Sequence, residues 1–324
     1  MRDLTNKFIS VFSFDSKSIT PEVLAKIIQF GIGFNPTYLY TGSNKIRSGK
    51  CNINRRIDDI KKSDDISHFE LKTEQYETCP WFIKSASPTY DFIRMIFEED
   101  QFPSLDFFDF LSTIQGFNFG FIEEYEFNFW QNEKDIDTYI TMGKMHDNLP
   151  KISNGFPPPL EKEVVDITIN PAREIKYPGM ILSLSPKMWL GNQALQLFND
   201  EILNGQKYFI SSRKIDEKVL FLQLTEDYKP TSSELKKIRD LAKKIDLDYL
   251  ETSGEDMIRK SPVDAIYEIN FPIIDGEKCR EQVVWLGPDD KPTNESKATR
   301  KLVNIFDSNG KRKEYFSVNV TRNA

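Results

Sequence analysis

The chain predicts an α+β fold of mostly antiparallel sheets with helices packed on them, closing on a C-terminal β-meander. Three observations carry this. Short strand-like runs occur towards both ends of the chain, amphipathic helical spacings lie among them, and Asp307-Ser308-Asn309-Gly310 is a strong turn between the last two strands. Lys7 to Phe14 reads as the first strand. Thr20-Pro21-Glu22 then opens a helix to about Phe30, with Thr20 as N-cap and Pro21 at the first helical position, and Gly31 and Gly33 end it. His68 to Glu74 and Trp81 to Ser85 read as short strands.

From Ser87 the spacing of Phe92, Ile93, Ile96 and Phe97 predicts a helix, and Ser104 caps a second one carrying Phe107, Phe108, Leu111 and Ile114. The alternation of Phe119, Phe121, Tyr125, Phe127 and Phe129 predicts one strand face, broken on that face only by Glu123. The stretch 147–162, with Asn154-Gly155 and Pro157-Pro158-Pro159, is the best domain boundary, giving an N-terminal domain over 1–150 and a C-terminal one over 151–324. Beyond it come a strand at Val164–Ile169, a short helix at Asn192–Phe198 and a hairpin of Tyr208–Arg213 with Val219–Thr225. A capping box at Thr231–Glu234 opens a further helix, and Ala265–Ile274, Gln282–Leu286, Lys301–Phe306 and Glu314–Val320 are strands.

Composition narrows the function classes. With 39% hydrophobic residues the chain can bury a real core, and no run approaches the ~18 apolar residues of a membrane span. Neither a membrane partner nor an export signal is expected, which predicts a soluble, cytoplasmic protein. Cys51, Cys79 and Cys279 lack the spacing of a disulfide framework, and His68 and His146 alone make a zinc site improbable. Neither a cofactor nor a metal is expected. Between Asp91 and Asp137 twelve carboxylates face only Arg94 and Lys134, a local net of −10 in a chain of net −7 that leaves +3 for the rest. Such acidity disfavours nucleic acid as a partner and suits a basic protein.

Candidate chemistry is thin. Glu70-Leu71-Lys72, after Asp58, Asp59, Asp64 and Asp65, has the E-x-K form of metal-dependent nucleases, in which acids hold Mg²⁺ and Lys polarises the phosphate. Three common residue types match often by chance, and a solvated strand is the bland alternative. Glu123, Glu124 and Glu126 lack a partner acid for a hard cation, and Cys79-Pro80-Trp81 reads as a turn rather than a reactive thiol. For the acidic segment, Phe residues form the core, while Glu98, Glu99, Asp100, Glu123, Glu124 and Glu126 form an outward face, either merely solvated or a contact surface for a basic partner.

Two stretches carry a resemblance. Trp81-Phe82-Ile83-Lys84-Ser85 through Tyr90-Asp91-Phe92, Asp109-Phe110-Leu111, Gly120-Phe121-Ile122 and Trp130-Gln131-Asn132 is one; Val165–Arg173 followed by Met188-Trp189-Leu190-Gly191 is the other. Over about residues 80–200 the chain resembles a little-characterised group of bacterial proteins of the polymorphic-toxin immunity type. That resemblance implies a non-catalytic, cytoplasmic binder of a cognate toxin, with Asp166, Asn170, Arg173 and Trp189 at typical positions. Physically these four read as a packed corner, Arg173 forking onto a carboxylate such as Asp166 and Trp189 anchoring a turn at Gly191. Ala172 stands where a Gly would be more flexible, a departure that argues against a shared ligand pocket. The resulting expectation is a protein that neutralises a basic toxin through an acidic surface. The alternatives are a nuclease or hydrolase using Glu70 and Lys72, or an assembly subunit pairing through the edge of its meander.

Overall fold

The first strand sets the architecture, because both of its faces are apolar. In β1 (Lys7–Asp15), Phe8, Phe12 and Phe14 point one way and Ile9 and Val11 the other, so the strand is buried on both sides. The computed structural model describes residues 4–43, 46–63, 66–73, 81–86, 89–155, 160–199, 202–203, 207–260, 267–270, 273–274, 277–288, 293, 297–307 and 312–320. The turns expected around Cys79-Pro80, at Pro157–Pro159 and at 308–310, and the acids Asp64 and Asp65, lie outside those residues.

After β1, Thr20 caps α1 (Pro21–Gly31) by accepting from the Val23 amide, and Gly31 at φ +116° ends it. There follow β2 (Tyr38–Thr41), β3 (Gly49–Lys50), α2 (Ile57–Lys61), β4 (His68–Lys72), β5 (Trp81–Ala86), β6 (Tyr90–Glu98), α3 (Leu105–Ser112), β7 (Phe117–Glu124) and α4 (Tyr125–Asn132). Next are α5 (Ile136–Thr141), the hairpin β8 (Lys151–Ser153) and β9 (Glu163–Val165), the hairpin β10 (Ile175–Tyr177) and β11 (Met180–Leu182), β12 (Lys187–Leu190) and α6 (Asn192–Leu195). The remainder comprises β13 (Ser211–Lys214), β14 (Leu220–Gln223), α7 (Ser232–Lys244), α8 (Leu247–Lys260), β15 (Tyr267–Asn270), β16 (Ile273–Ile274), β17 (Glu277–Lys278), β18 (Arg280–Leu286), β19 (Arg300–Phe306) and β20 (Arg312–Asn319).

Ten strands form one antiparallel sheet in the order β13-β14-β12-β7-β1-β6-β5-β4-β2-β3. One face packs on α1, α2 and α3 through residues such as Leu24, Ile57 and Phe108. The other packs on the β10–β11 hairpin, α4 and α7 through Phe127, Met180 and Leu241. The mixed, mostly antiparallel α+β class read from the sequence is the class of this fold, and β18-β19-β20 is the C-terminal meander.

Three expectations are corrected. Residues 90–98 form not a helix but the central strand β6, with Asp91, Ile93, Met95 and Phe97 on one face and Tyr90, Phe92, Arg94 and Ile96 on the other. A strand buried on both faces is apolar throughout, so its periodicity does not separate it from a helix. The alternation from Phe119 to Phe129 also divides: β7 stops at Glu124, where its pairing with β1 ends at Phe8, and the chain coils into α4. Finally, a boundary at residue 150 would cut the large sheet, since β12 pairs directly with β7. The compact units are instead Met1–Glu133 with Ile167–Ile258, and Lys134–Asp166 with Arg259–Ala324. The first holds the ten-stranded sheet, and the second holds α5, the β8–β9 hairpin and the sheet β15-β18-β19-β20 over a core of Cys279, Val283, Trp285, Val303 and Ile305. Among the described residues no helix is long and apolar enough to cross a membrane.

Candidate functional site

The acidic residues gather at one end of the large sheet, because register places them there. Lys7 pairs with Glu98 across β1–β6, and Phe8 pairs with Glu124 across β1–β7, so the ends of β6 and β7 flank the start of β1. Asn6 turns the chain into β1 at φ +53°, a left-handed conformation Asn tolerates. Beyond Glu98 a 3-10 turn carries Glu99 and Asp100 outward, and Pro103 stops it. Gly33, at φ +82°, lies against this turn so closely that a Cβ would overlap the Gln101 carbonyl and the Pro103 ring. Thr5, Asn6, Lys7, Glu98, Glu99 and Asp100 line an open hollow of about 540 Å³ there.

Glu124 and Glu126 stand at the start of α4, where carboxylates complement the unpaired amides of the first turn. Lys229 reaches both, with Nζ 2.9 Å from Glu124 and 3.6 Å from Glu126. Its hydrogen bond to Glu124 raises the Lys229 pKa. Beside it Tyr228 packs edge-on against Phe8, and the nearly buried Lys187 amine sits 3.7 Å from the Tyr228 ring centroid. Burial pushes Tyr228 up to about 12 and lowers Lys187.

Glu123 is the exception within the acidic set. It was expected outward; its position on β7 instead puts it on the inner face with Phe119 and Phe121, fully buried. Asn128 donates to Glu123 Oε1 at 2.6 Å and to Glu174 Oε1 at 3.1 Å, and Glu174 pairs with Arg94. Among the described residues Oε2 of Glu123 has no hydrogen-bond partner. Burial above all, with the Glu174 charge adding to it against the Asn128 hydrogen bond, raises Glu123 to about 8, so the carboxyl is protonated at neutral pH.

Comparison with protein-family models, curated proteins and solved structures returned no match.

The expected corner of Asp166, Asn170, Arg173 and Trp189 is divided. Arg173, almost wholly buried, donates to the carbonyls of Thr168 and Asn170, and its carboxylates are Asp248 at 2.7 Å and Glu251 at 2.9 Å, both on α8. Asn170 donates to the Gln131 carbonyl at 2.9 Å, while Asp166 falls in the second compact unit, its amide on the Pro150 carbonyl. Trp189 belongs to the opposite layer, among Phe12, Phe108 and Phe221, with Nε1 donating to Asp109 at 2.8 Å. Asp109 also holds Arg213 at 2.8 Å.

Glu70 and Lys72 share the face of β4 towards Trp81 and bind each other at 2.7 Å, with Trp81 Nε1 also donating to Glu70. Asp58 and Asp59 lie on α2, whose Ile57 and Ile60 pack on the other face of the sheet, so these acids do not join Glu70. Among the described residues no group of three His, Cys, Asp or Glu could hold a metal ion.

Sequence reasoning missed one cleft, at the opposite end of β1. Asp15, Asn118, Gln193, Gln196, Asp216 and Lys218 border a polar space of about 510 Å³, with Asn118 donating to Asp15 and to the Gly179 carbonyl. Its residues come from widely separated segments, so no local motif marks it.

Proposed function

We propose that the chain is a non-catalytic, cytoplasmic protein-binding protein that docks a basic partner on the acidic end of its large sheet. The supporting observation is the hollow at that end, where Glu98, Glu99 and Asp100 face Lys7 as the one cation among its described lining residues. A partner presenting Lys or Arg to this rim gains on-rate from charge steering, and specificity from the fixed positions of the turn. The immunity-type resemblance over residues 80–200 makes a basic toxin domain the partner to try first. Its neutralisation would be steric, with no reaction asked of the chain.

The pairing of Glu70 with Lys72 and Trp81 favours a structural part for that motif over a nuclease site. The test is binding of the full chain to a panel of basic toxin domains, measured at about 50 and 500 mM salt. Association should slow at least tenfold at the higher salt, and Glu98→Lys with Glu99→Lys and Asp100→Lys should abolish it while the thermal midpoint holds. Failure of every domain to bind, or binding indifferent to the charge reversal, would reject the proposal.

A further inference from the structure

Among the described residues, β20 is the last strand of the C-terminal sheet. In the order β15-β18-β19-β20, β20 pairs with β19 along one side, and no described strand lies on its other side. All eight of its residues are exposed, among them Tyr315, Phe316 and Val318. An edge strand of this length presents a row of backbone donors and acceptors that another strand can take up.

Charge says what kind of strand fits. From Lys297 to Val320 six cations stand against Asp307 and Glu314, a net of +4. Arg312 and Lys313 lie on β20 itself, while Arg300 and Lys301 lie on the neighbouring β19. A second copy of the same hairpin would bring the same positive charge to the edge, and cations on an edge strand oppose self-pairing. A stacked single-stranded nucleic acid needs aromatic rings on one face, yet Tyr315 and Phe316 are successive strand residues and point to opposite faces. Tyr315 lies beside Asn304, while Phe316 lies beside buried Val303 on the face of the small core.

We propose that β20 is a strand-addition site for an extended acidic segment of another protein. The added strand would hydrogen-bond along Arg312–Asn319, with its carboxylates meeting Arg312 and Lys313 and its alternate apolar side chains covering Phe316 and Val318. This surface is independent of the acidic end of the large sheet, and either proposal can fail without the other.

The probe is an eight-residue peptide alternating glutamate with threonine, compared with its lysine counterpart and with an oligo-dT of twelve nucleotides. Each is titrated into the full chain while backbone amide exchange is followed. The glutamate peptide should slow exchange along Arg312–Asn319 and bind at least tenfold tighter than the lysine peptide. Arg312→Glu with Lys313→Glu, both exposed, should reverse that preference while Val283 and Val303 amides keep their protection, which reports an intact sheet. Equal effects of the two peptides, protection by oligo-dT in place of the peptide, protection that rises with protein concentration alone, or no change at β20 would each overturn the proposal.

Discussion

At the scale of single residues, the buried carboxyl of Glu123 has the clearest consequence. Its pKa stands near 8 in the fold against 4.5 when exposed, so the unfolded chain releases this proton over a window in which the native chain keeps it. The stability it allows is therefore complete below about pH 4.5 and is lost as pH rises to about 8, at up to ~1.4 kcal/mol per pH unit. Glu123→Gln, which retains the shape and cannot ionise, should flatten that slope and raise the thermal midpoint at pH 8; unfolding curves from pH 5 to 9 measure it. A Gln variant with the slope unchanged would assign the proton elsewhere. Arg173 offers a complementary case, since its guanidinium serves two carbonyls and two carboxylates. Arg173→Met should cost about 2–3 kcal/mol in denaturant unfolding, because the Thr168 and Asn170 carbonyls and the Glu251 carboxylate lose the guanidinium hydrogen bonds. The sequence marked both residues but not their partners. Glu123 was visible as the one break in an apolar face, whereas Asp248 and Glu251 lie some 75 positions from Arg173 and no local pattern connects them.

At the scale of elements, the caps at Thr20 and Thr231 were legible and the doubly buried β6 was not, while Ser104 stands at the N-cap of α3 without a side-chain hydrogen bond. Thr20 and Thr231 make the hydrogen bonds their spacing implies, including the full capping box at Glu234. Thr231→Ala should cost about 1 kcal/mol, read as a fall in the thermal midpoint of the first compact unit. β6 was misread because both of its faces meet apolar layers, which erases the period-two contrast that separates a strand from a helix. The junction of β7 with α4 was hidden too: Tyr125, Phe127 and Phe129 continue a strand-like alternation, although the pairing with β1 ends at Glu124. Local counting of charge also overstated the bareness of the acidic segment, because Lys229, Arg213 and Lys162 arrive from later elements to meet Glu124, Asp109 and Asp135.

At the scale of the whole molecule, two compact units with separate cores predict separable unfolding. Val303→Ala opens a cavity in the small core of the second unit, and Trp189→Ala opens one among Phe12, Phe108 and Phe221 in the first. Calorimetry should show the former lowering one transition and the latter, at about 3–5 kcal/mol, lowering the other. A single transition moved alike by both would mean the units unfold as one. The boundary at residue 150 was illegible for a topological reason: Asn154-Gly155 follows the first strand of the β8–β9 hairpin, which lies inside an excursion between two adjacent strands of the same sheet.

That excursion has a consequence for a chain made from its N-terminus. When β7 leaves the ribosome, its free side still waits for β12, and Lys134–Asp166 and the β10–β11 hairpin must emerge first. Throughout that interval a nascent edge lined by Phe119, Phe121 and Ile122 stands open to other chains, so the rate of elongation across residues 125–190 sets how long the newborn protein is exposed to aggregation.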